Sequence, residues 1–213
     1  MAMSSILQLA TRRRTTRIFK STPVNLQDIL YGFSAAVQAP SGANRQPWHF
    51  LMIDDLAIKQ RIRTACENAE ERFHMNAKTE LKQWFISKQI TSRKPFLTDA
   101  PVLLAVFSNQ EMPYATESTW LAIGYLILAL EEKSLSTLTY TPSYPEEVKT
   151  ALNAPKSYRL ETILPIGYSG DPKLKEERRP VNSSIHHNLW NPREPGKSLA
   201  EPQRQVDTNS LFA

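Results

Sequence analysis

The sequence predicts an α+β domain: a small central sheet, mixed or antiparallel, flanked by helices. Three observations lead there. Helical periodicities come in runs, interleaved with strands that are not neighbours in the chain, unlike a regular βαβ series. Pro101–Phe107 is a short continuous apolar run of the kind buried on both faces of a sheet. The length of 213 residues, with 41% hydrophobic and 22% charged, suits one domain with a real core rather than two small ones.

The elements follow in order. Ser5–Ala10 and Leu26–Val37 carry helical spacing, with Asn25 as N-cap of the second. The connector between them, Arg12–Lys20, is polar. Ala39–Pro47 is a loop punctuated by Pro and Gly, and Trp48–Ile53 reads as a strand. Asp55–Glu71 and much of Phe73–Gln89 look helical, the latter polar with Phe73, Leu81, Trp84 and Phe85 spaced along it. Tyr114–Lys133 is the most regular helix. It has Glu117 near its start and a middle apolar on every side, which belongs at a domain centre or in a subunit interface. Leu135–Thr141 alternates, is rich in β-branched residues and ends at Pro142, as a strand would. Pro145–Leu152 is a short helix, and Leu160–Tyr168 is the last core strand. From Ser169 the chain is polar, passing Arg178-Arg179-Pro180. The domain is placed at residues 1–193, with a polar tail at 194–213.

Composition excludes several function classes. The net charge is +5, and residues 1–20 hold Arg12, Arg13, Arg14, Arg17 and Lys20 with no acid, so the rest of the chain is balanced. So local a cationic segment points to a bound anionic group rather than to a surface spread for a polyanion. The six glycines never fall at dinucleotide or P-loop spacing, so side chains must hold any phosphate. One cysteine and four scattered histidines make no zinc pattern, and no metal is expected. Cys66 and His49 read as packing residues. The longest apolar run, Trp120–Leu130, is too short to span a bilayer, and the N-terminal charges are ordered opposite to a secretory signal. The expectation is a cytoplasmic protein with neither membrane nor nucleic-acid partners. Nucleic-acid binding through the arginine run is a distant alternative lacking any recognisable module.

Four segments stand out together: Arg13-Arg-Thr-Thr-Arg17, Pro40-Ser-Gly-Ala-Asn-Arg-Gln-Pro-Trp48, Thr139-Tyr-Thr-Pro142, and Leu164-Pro-Ile-Gly-Tyr168 followed by Arg178-Arg-Pro180. In this order and spacing the chain resembles the nitroreductase family of FMN-dependent oxidoreductases, and within it the iodotyrosine-deiodinase-like branch. The resemblance runs from Arg12 to Asn188. It implies a nitroreductase-like fold in an intertwined homodimer, with FMN at two interface sites.

The residues suit that cofactor. Arg13, Arg14 and Arg17, joined by Arg178 or Arg179, could make bidentate contacts to a phosphate, with Thr15 and Thr16 offering hydroxyls. The same run could be a solvated helix flank, but the missing acids and the matched Arg178-Arg179-Pro180 favour the phosphate. Pro40, Ser41, Gly42 and Asn44 suit a loop passing close to a flat ring, or a tight turn into the next strand, and both can hold. By the resemblance, Ala43 gives a backbone contact to substrate. Thr139, Tyr140 and Thr141 match the segment that places a hydroxyl near flavin N5, with Thr141 first and Thr139 second. Such a hydroxyl tunes the flavin between hydride and single-electron chemistry. The resemblance also implies a lid, at about 68–96, that holds an amino-acid zwitterion with a Glu, a Tyr and a Lys. Counted without gaps these fall on Ala69, Phe73 and Lys94, and Glu70 or Glu71 supplies the acid only if the register slips. Phe73 and Trp84 then suggest stacking over a planar apolar substrate, or plain packing of the lid.

The expected activity is an FMN-dependent oxidoreductase that uses NAD(P)H to reduce a planar aromatic electrophile, nitroaromatic or quinone, by a ping-pong mechanism. Thr141 is the one residue assigned to the chemistry, and no acid–base residue is needed. The alternative is a reductive dehalogenase of the iodotyrosine-deiodinase type.

Overall fold

Side-chain caps set where the first helices begin. In the computed structural model, which describes residues 5–186 and 188, Ser5 and Gln8 form a reciprocal capping box at the start of α1, Ile6–Arg12. Asn25 caps α2, Leu26–Ala36, by accepting from the Gln27 N–H at 2.9 Å. Strand β1, Trp48–Ile53, leads to α3, Leu56–Asn76, whose cap is Asp55. The expected helix over 73–89 is not one helix: α3 continues through Phe73 to Asn76, Ala77 turns extended, and α4 restarts at Thr79 and ends at Ser87. A short α5, Phe96–Asp99, precedes β2, Val102–Asn109. Then come α6, Ala115–Glu132, β3, Ser136–Thr137, α7, Pro145–Ala151, and β4, Tyr158–Gly167.

The four strands form one antiparallel sheet in the order β1-β2-β4-β3. A parallel bridge from Thr15 to Thr137 lays the N-terminal segment along the β3 edge, which gives the sheet its mixed character. The expected strand Leu135–Thr141 pairs only at Ser136 and Thr137 and again in an isolated bridge from Tyr140 to Ile163. The register explains the gap. Continued from Thr137 opposite Ile166, it sets Leu138 opposite Pro165, which has no N–H to donate.

Both sheet faces are covered. Leu103, Ala105, Phe107 and Ile163 pack with Ile62, Cys66 and Leu97 on one side. Leu104, Val106, Leu164 and Ile166 pack with Ile29, Ile123, Leu126 and Leu130 on the other. This two-sided burial is why β2 and β4 read as continuous apolar runs. One irregularity matters below: Phe107 faces Leu160 while Val106 faces Thr162, so Glu161 is the extra residue of a β-bulge. The chain divides into one compact unit through Lys175 and a second from Glu176, where Val181–Ser184 make a 3₁₀ turn. The expected tail at 194–213 lies outside the described residues.

Candidate active site

Residues 13–20 run between the β3 edge and the segment leaving β4. Thr16 N–H donates to Thr137 O at 3.2 Å, Lys20 N–H to Tyr168 O at 2.9 Å, and Gly170 N–H to Ile18 O at 2.9 Å. Asp171 anchors this layer by accepting from the backbone N–H groups of Arg17 and Lys173, both at 2.9 Å. Burial pushes its carboxyl up, but those two donors and the charges of Arg14 and Arg17 hold it below the usual carboxylate range.

The three arginines have different surroundings. Arg14 donates to Lys173 O, Ser169 Oγ (3.1 Å) and Asp171 O (2.6 Å), so it laces the chain after β4 instead of facing outward. The guanidinium groups of Arg13 and Arg17 make no hydrogen bond or close ion pair with the described residues, and Arg17 is exposed. Thr16 is wholly buried with Oγ1 unpartnered, whereas Thr15 is half-buried. Of the five side chains expected to reach a phosphate or its ribityl chain, Arg14 and Thr16 are turned inward in this structure, while the Arg13 and Arg17 guanidinium groups stay unengaged and Thr15 is half-buried. Arg178 and Arg179 belong to the second unit, where Arg178 donates to Glu176 O at 3.1 Å.

Two residues beyond Thr137 the chain presents Thr139 and Thr141 outward and Tyr140 inward. Tyr140 was expected among the cofactor-binding residues, but its ring packs edge-on to Phe96 and its hydroxyl donates to Glu70 Oε1 at 3.1 Å. Burial, first among the causes, pushes its phenol pKa up, so Tyr140 is a permanent donor. Thr141 Oγ1 donates to Glu161 O at 3.3 Å, long for a hydroxyl bond.

The loop after α2 is bent into an unusual shape. Ala43, Asn44 and Gln46 all have left-handed backbone, with φ of 48°, 54° and 49°. Such a cluster persists only where its surroundings enforce it. Gly42 N–H donates to Ser118 Oγ on α6 at 3.2 Å, Ser41 Oγ accepts from Gln46 N–H at 3.1 Å, and Asn44 Oδ1 accepts from Gln46 Nε2 at 3.2 Å. Pro40, Ala43 and Asn44 are exposed, and the Ala43 N–H has no partner among the described residues.

In the segment expected to form a lid, Phe73 is exposed with its ring 6.1 Å from Phe85, and His74 stacks on Phe85 at 4.3 Å. Lys94 points inward, donating to Thr91 O at 2.5 Å and lying 3.7 Å from Glu70. The gapless count put the lid carboxylate on Ala69, a core residue; the acid that meets Lys94 is the next one, Glu70. Glu70 also accepts from Ser143 N–H and Oγ and lies 3.8 Å from His74 Nε2.

The fold therefore joins the arginine segment to the hydroxyl pair through Thr137, and the lid to that pair through Tyr140. The Gly42 loop is attached separately, to α6. Sequence reasoning passed over Asp171, Ser118 and Glu161, and reached Glu70 only through a slip of register. Only Glu161 had a visible signal, an isolated acid inside an apolar strand. Among the described residues no cluster of three or more His, Cys, Asp or Glu could hold a metal.

Comparison with known proteins adds the following. A family model described as the nitroreductase family matches residues 10–168. An iodotyrosine deiodinase from Thermotoga neapolitana is 48% identical over 179 residues, 84% of this chain and 96% of the relative. An iodotyrosine deiodinase from Haliscomenobacter hydrossis is 32% identical, covering 77% of this chain and 79% of its own. A crystal structure of oxidized iodotyrosine deiodinase bound to FMN and 3-iodo-L-tyrosine superposes with a TM-score of 0.83 at 46% identity, covering 87% of this chain and 100% of that one. An FMN-dependent nitroreductase from Clostridium difficile, covering 86% of this chain and 99% of its own, has a TM-score of 0.69 at 19% identity and speaks for the fold alone.

Proposed function

The chain belongs to the nitroreductase family, and from that premise we propose that it binds FMN and reductively dehalogenates a halogenated tyrosine-like phenol. The observation that carries this reading is the layer in which Thr15 pairs with Thr137. It lays the segment carrying Arg13 and Arg17, whose guanidinium groups are unengaged, alongside the stretch that leads to the exposed Thr139 and Thr141. The donor set fits the cofactor: cations and a hydroxyl for a phosphate dianion, then a hydroxyl for the ring.

When bound and reduced, FMN would supply two electrons, which with one proton replace the aryl carbon–halogen bond by carbon–hydrogen and release the halogen as halide. The protein's part is positional. Arg13 and Arg17 would hold the phosphate, and the Thr141 hydroxyl would serve the flavin ring. The unpartnered Ala43 N–H takes the phenol oxygen. Glu70 and Lys94 provide the carboxylate and ammonium for an amino-acid zwitterion, and in this conformation they neutralise each other.

Placing NAD(P)H-dependent reduction of a nitroaromatic or quinone first is reversed. Support for it came from an aromatic lid, and the solved nitroreductases similar to this chain are too distant to carry activity. NAD(P)H remains the proposed electron source. A homodimer is also proposed. On α6, Leu121 and Tyr125 are exposed, and nothing lies within 4 Å of a Cβ added at Gly124, so a second helix could approach closely there. Among the described residues no helix is long and apolar enough to cross a membrane, and a cytoplasmic location is part of the proposal.

The test is competitive turnover by the full chain loaded with FMN. Iodotyrosine should be dehalogenated with a higher kcat/KM than that for a nitroaromatic. Nitroaromatic turnover with no halide release from iodotyrosine would restore the opposite order.

A further inference from the structure

We infer that Glu161 is a positioning residue that orients the Thr141 hydroxyl and ties it to the Gly42 loop, an inference that rests on the FMN reading above. Glu161 is the extra residue of the β4 bulge, and it is 3% exposed. Its flanks, Leu160 and Thr162, are buried too. A carboxylate in such a place is costly unless donors surround it, and an apolar residue of similar size is commonly as stable or more so. Stability alone therefore does not account for it.

The donors do surround it. Ser108 Oγ donates to Oε1 at 2.5 Å and Thr116 Oγ1 to the same atom at 2.9 Å. Trp120 Nε1 donates to Oε2 at 3.0 Å, and Arg159 Nε stands 3.7 Å away. Gln110 Nε2 donates to Ser108 Oγ at 2.7 Å, which fixes the serine as donor toward Glu161. Every neighbour donates, which is what an acceptor-only group takes.

The two ends of Glu161 reach two parts of the site. Its backbone carbonyl accepts from Thr141 Oγ1 at 3.3 Å. Its carboxylate is clamped by Thr116 and Trp120 in the first turns of α6, and Ser118 of the same turns accepts from the Gly42 N–H. Thr141 and Gly42 are thus linked through one bulged residue. With its proton directed at Glu161 O, Thr141 leaves its lone pairs facing outward to accept from a donor. At 3.3 Å that bond is weak enough to be exchanged when the group outside becomes an acceptor instead. Oxidised flavin N5 accepts and reduced N5–H donates, so a hydroxyl poised this way serves both states.

The experiment measures the gap between the two one-electron potentials of bound FMN, and FMN affinity in the same samples, for wild type, Thr141→Ala, Glu161→Gln and the double variant. Thr141→Ala and Glu161→Gln should each narrow the gap. We expect about a tenfold change in the equilibrium linking the two steps, about 59 mV. The double variant should narrow it by less than the sum. If Glu161 served only packing, FMN affinity and Tm would fall with the gap unmoved, and that result overturns the inference while leaving the FMN reading intact. A gap unmoved by Thr141→Ala removes the N5 reading and this inference together. Should Glu161→Gln fail to fold, Thr116→Val takes away one donor without touching β4. It should narrow the gap less, in the same direction, and an unchanged gap again overturns the inference.

Discussion

Glu70 on α3 and Lys94 before α5, each 7% exposed, meet at 3.7 Å, with the Lys94 ammonium 5.9 Å from the centre of the Tyr140 ring. The hydrogen-bond donors on Glu70 come from the segment that carries Thr141: Tyr140 Oη at 3.1 Å and Ser143 Oγ at 2.9 Å. One buried carboxylate thereby joins the lid to the strand that the proposed cofactor site depends on.

Removing one member of this pair strands the other. Lys94→Met should destabilise the protein by about 3 kcal/mol, the usual cost of an uncompensated buried charge. Adding Glu70→Gln to Lys94→Met should restore part of the loss. Urea unfolding midpoints of the two variants check both statements.

The thiol beside this pair sets an alkaline limit. Burial pushes Cys66 up to about 12, with Tyr140, Glu70, Lys94 and Glu67 as its charged or polar neighbours. The native state keeps a proton that the unfolded chain loses above about pH 8.5. Stability from this group is therefore complete below that value and lost as pH rises toward 12. Lys94, lowered chiefly by burial, acts with the opposite sign, gaining stability as pH rises toward the ordinary amine range. Cys66→Ala should show a shallower alkaline decline in Tm than wild type. A thiol reagent should label Cys66 only as fast as the protein opens.

The arginines should separate by readout. Arg13→Ala and Arg17→Ala should each weaken FMN binding by about tenfold or more, the range for one charge-assisted hydrogen bond. Arg14→Ala should act mainly on stability, since its guanidinium holds backbone carbonyls of Asp171 and Lys173. FMN fluorescence titration and thermal unfolding on the same three variants distinguish the two roles.

Close packing explains one glycine. A Cβ at Gly42 would come within 2.6 Å of Tyr114 Cδ2 and 3.3 Å of Pro113 O. Gly42→Ala should cost about 1–3 kcal/mol. Tyr114→Ala, which removes the nearer obstacle from an exposed side chain, should recover part of it, as read from Tm.

Much of this was legible in the sequence because burial on both faces leaves a plain signal. Strand β2 and helix α6 fall within a residue or two of where their apolar runs place them. Strand β3 was overcalled because alternation in Leu135–Thr141 says nothing of its partner, and the partner is Pro165. Arg13 and Arg14 look alike in sequence, and only the carbonyls after β4 tell them apart. A count without gaps lands on Ala69, and only the fold shows that the acid facing Lys94 is its neighbour Glu70, which a one-residue slip would have reached. Glu161 showed in the sequence only as an isolated acid, and its bulge stayed hidden because a bulge is a property of two strands' register, not of one strand's pattern.

The central claim is dehalogenation by a flavin held on this scaffold. Single-turnover mixing of the anaerobically reduced FMN protein with 3-iodotyrosine tests it most directly, following flavin oxidation and iodide together. One iodide released for each flavin oxidised, with tyrosine as the product, is the predicted result. Flavin that stays reduced with no iodide formed, while a nitroaromatic oxidises it readily, would contradict the account.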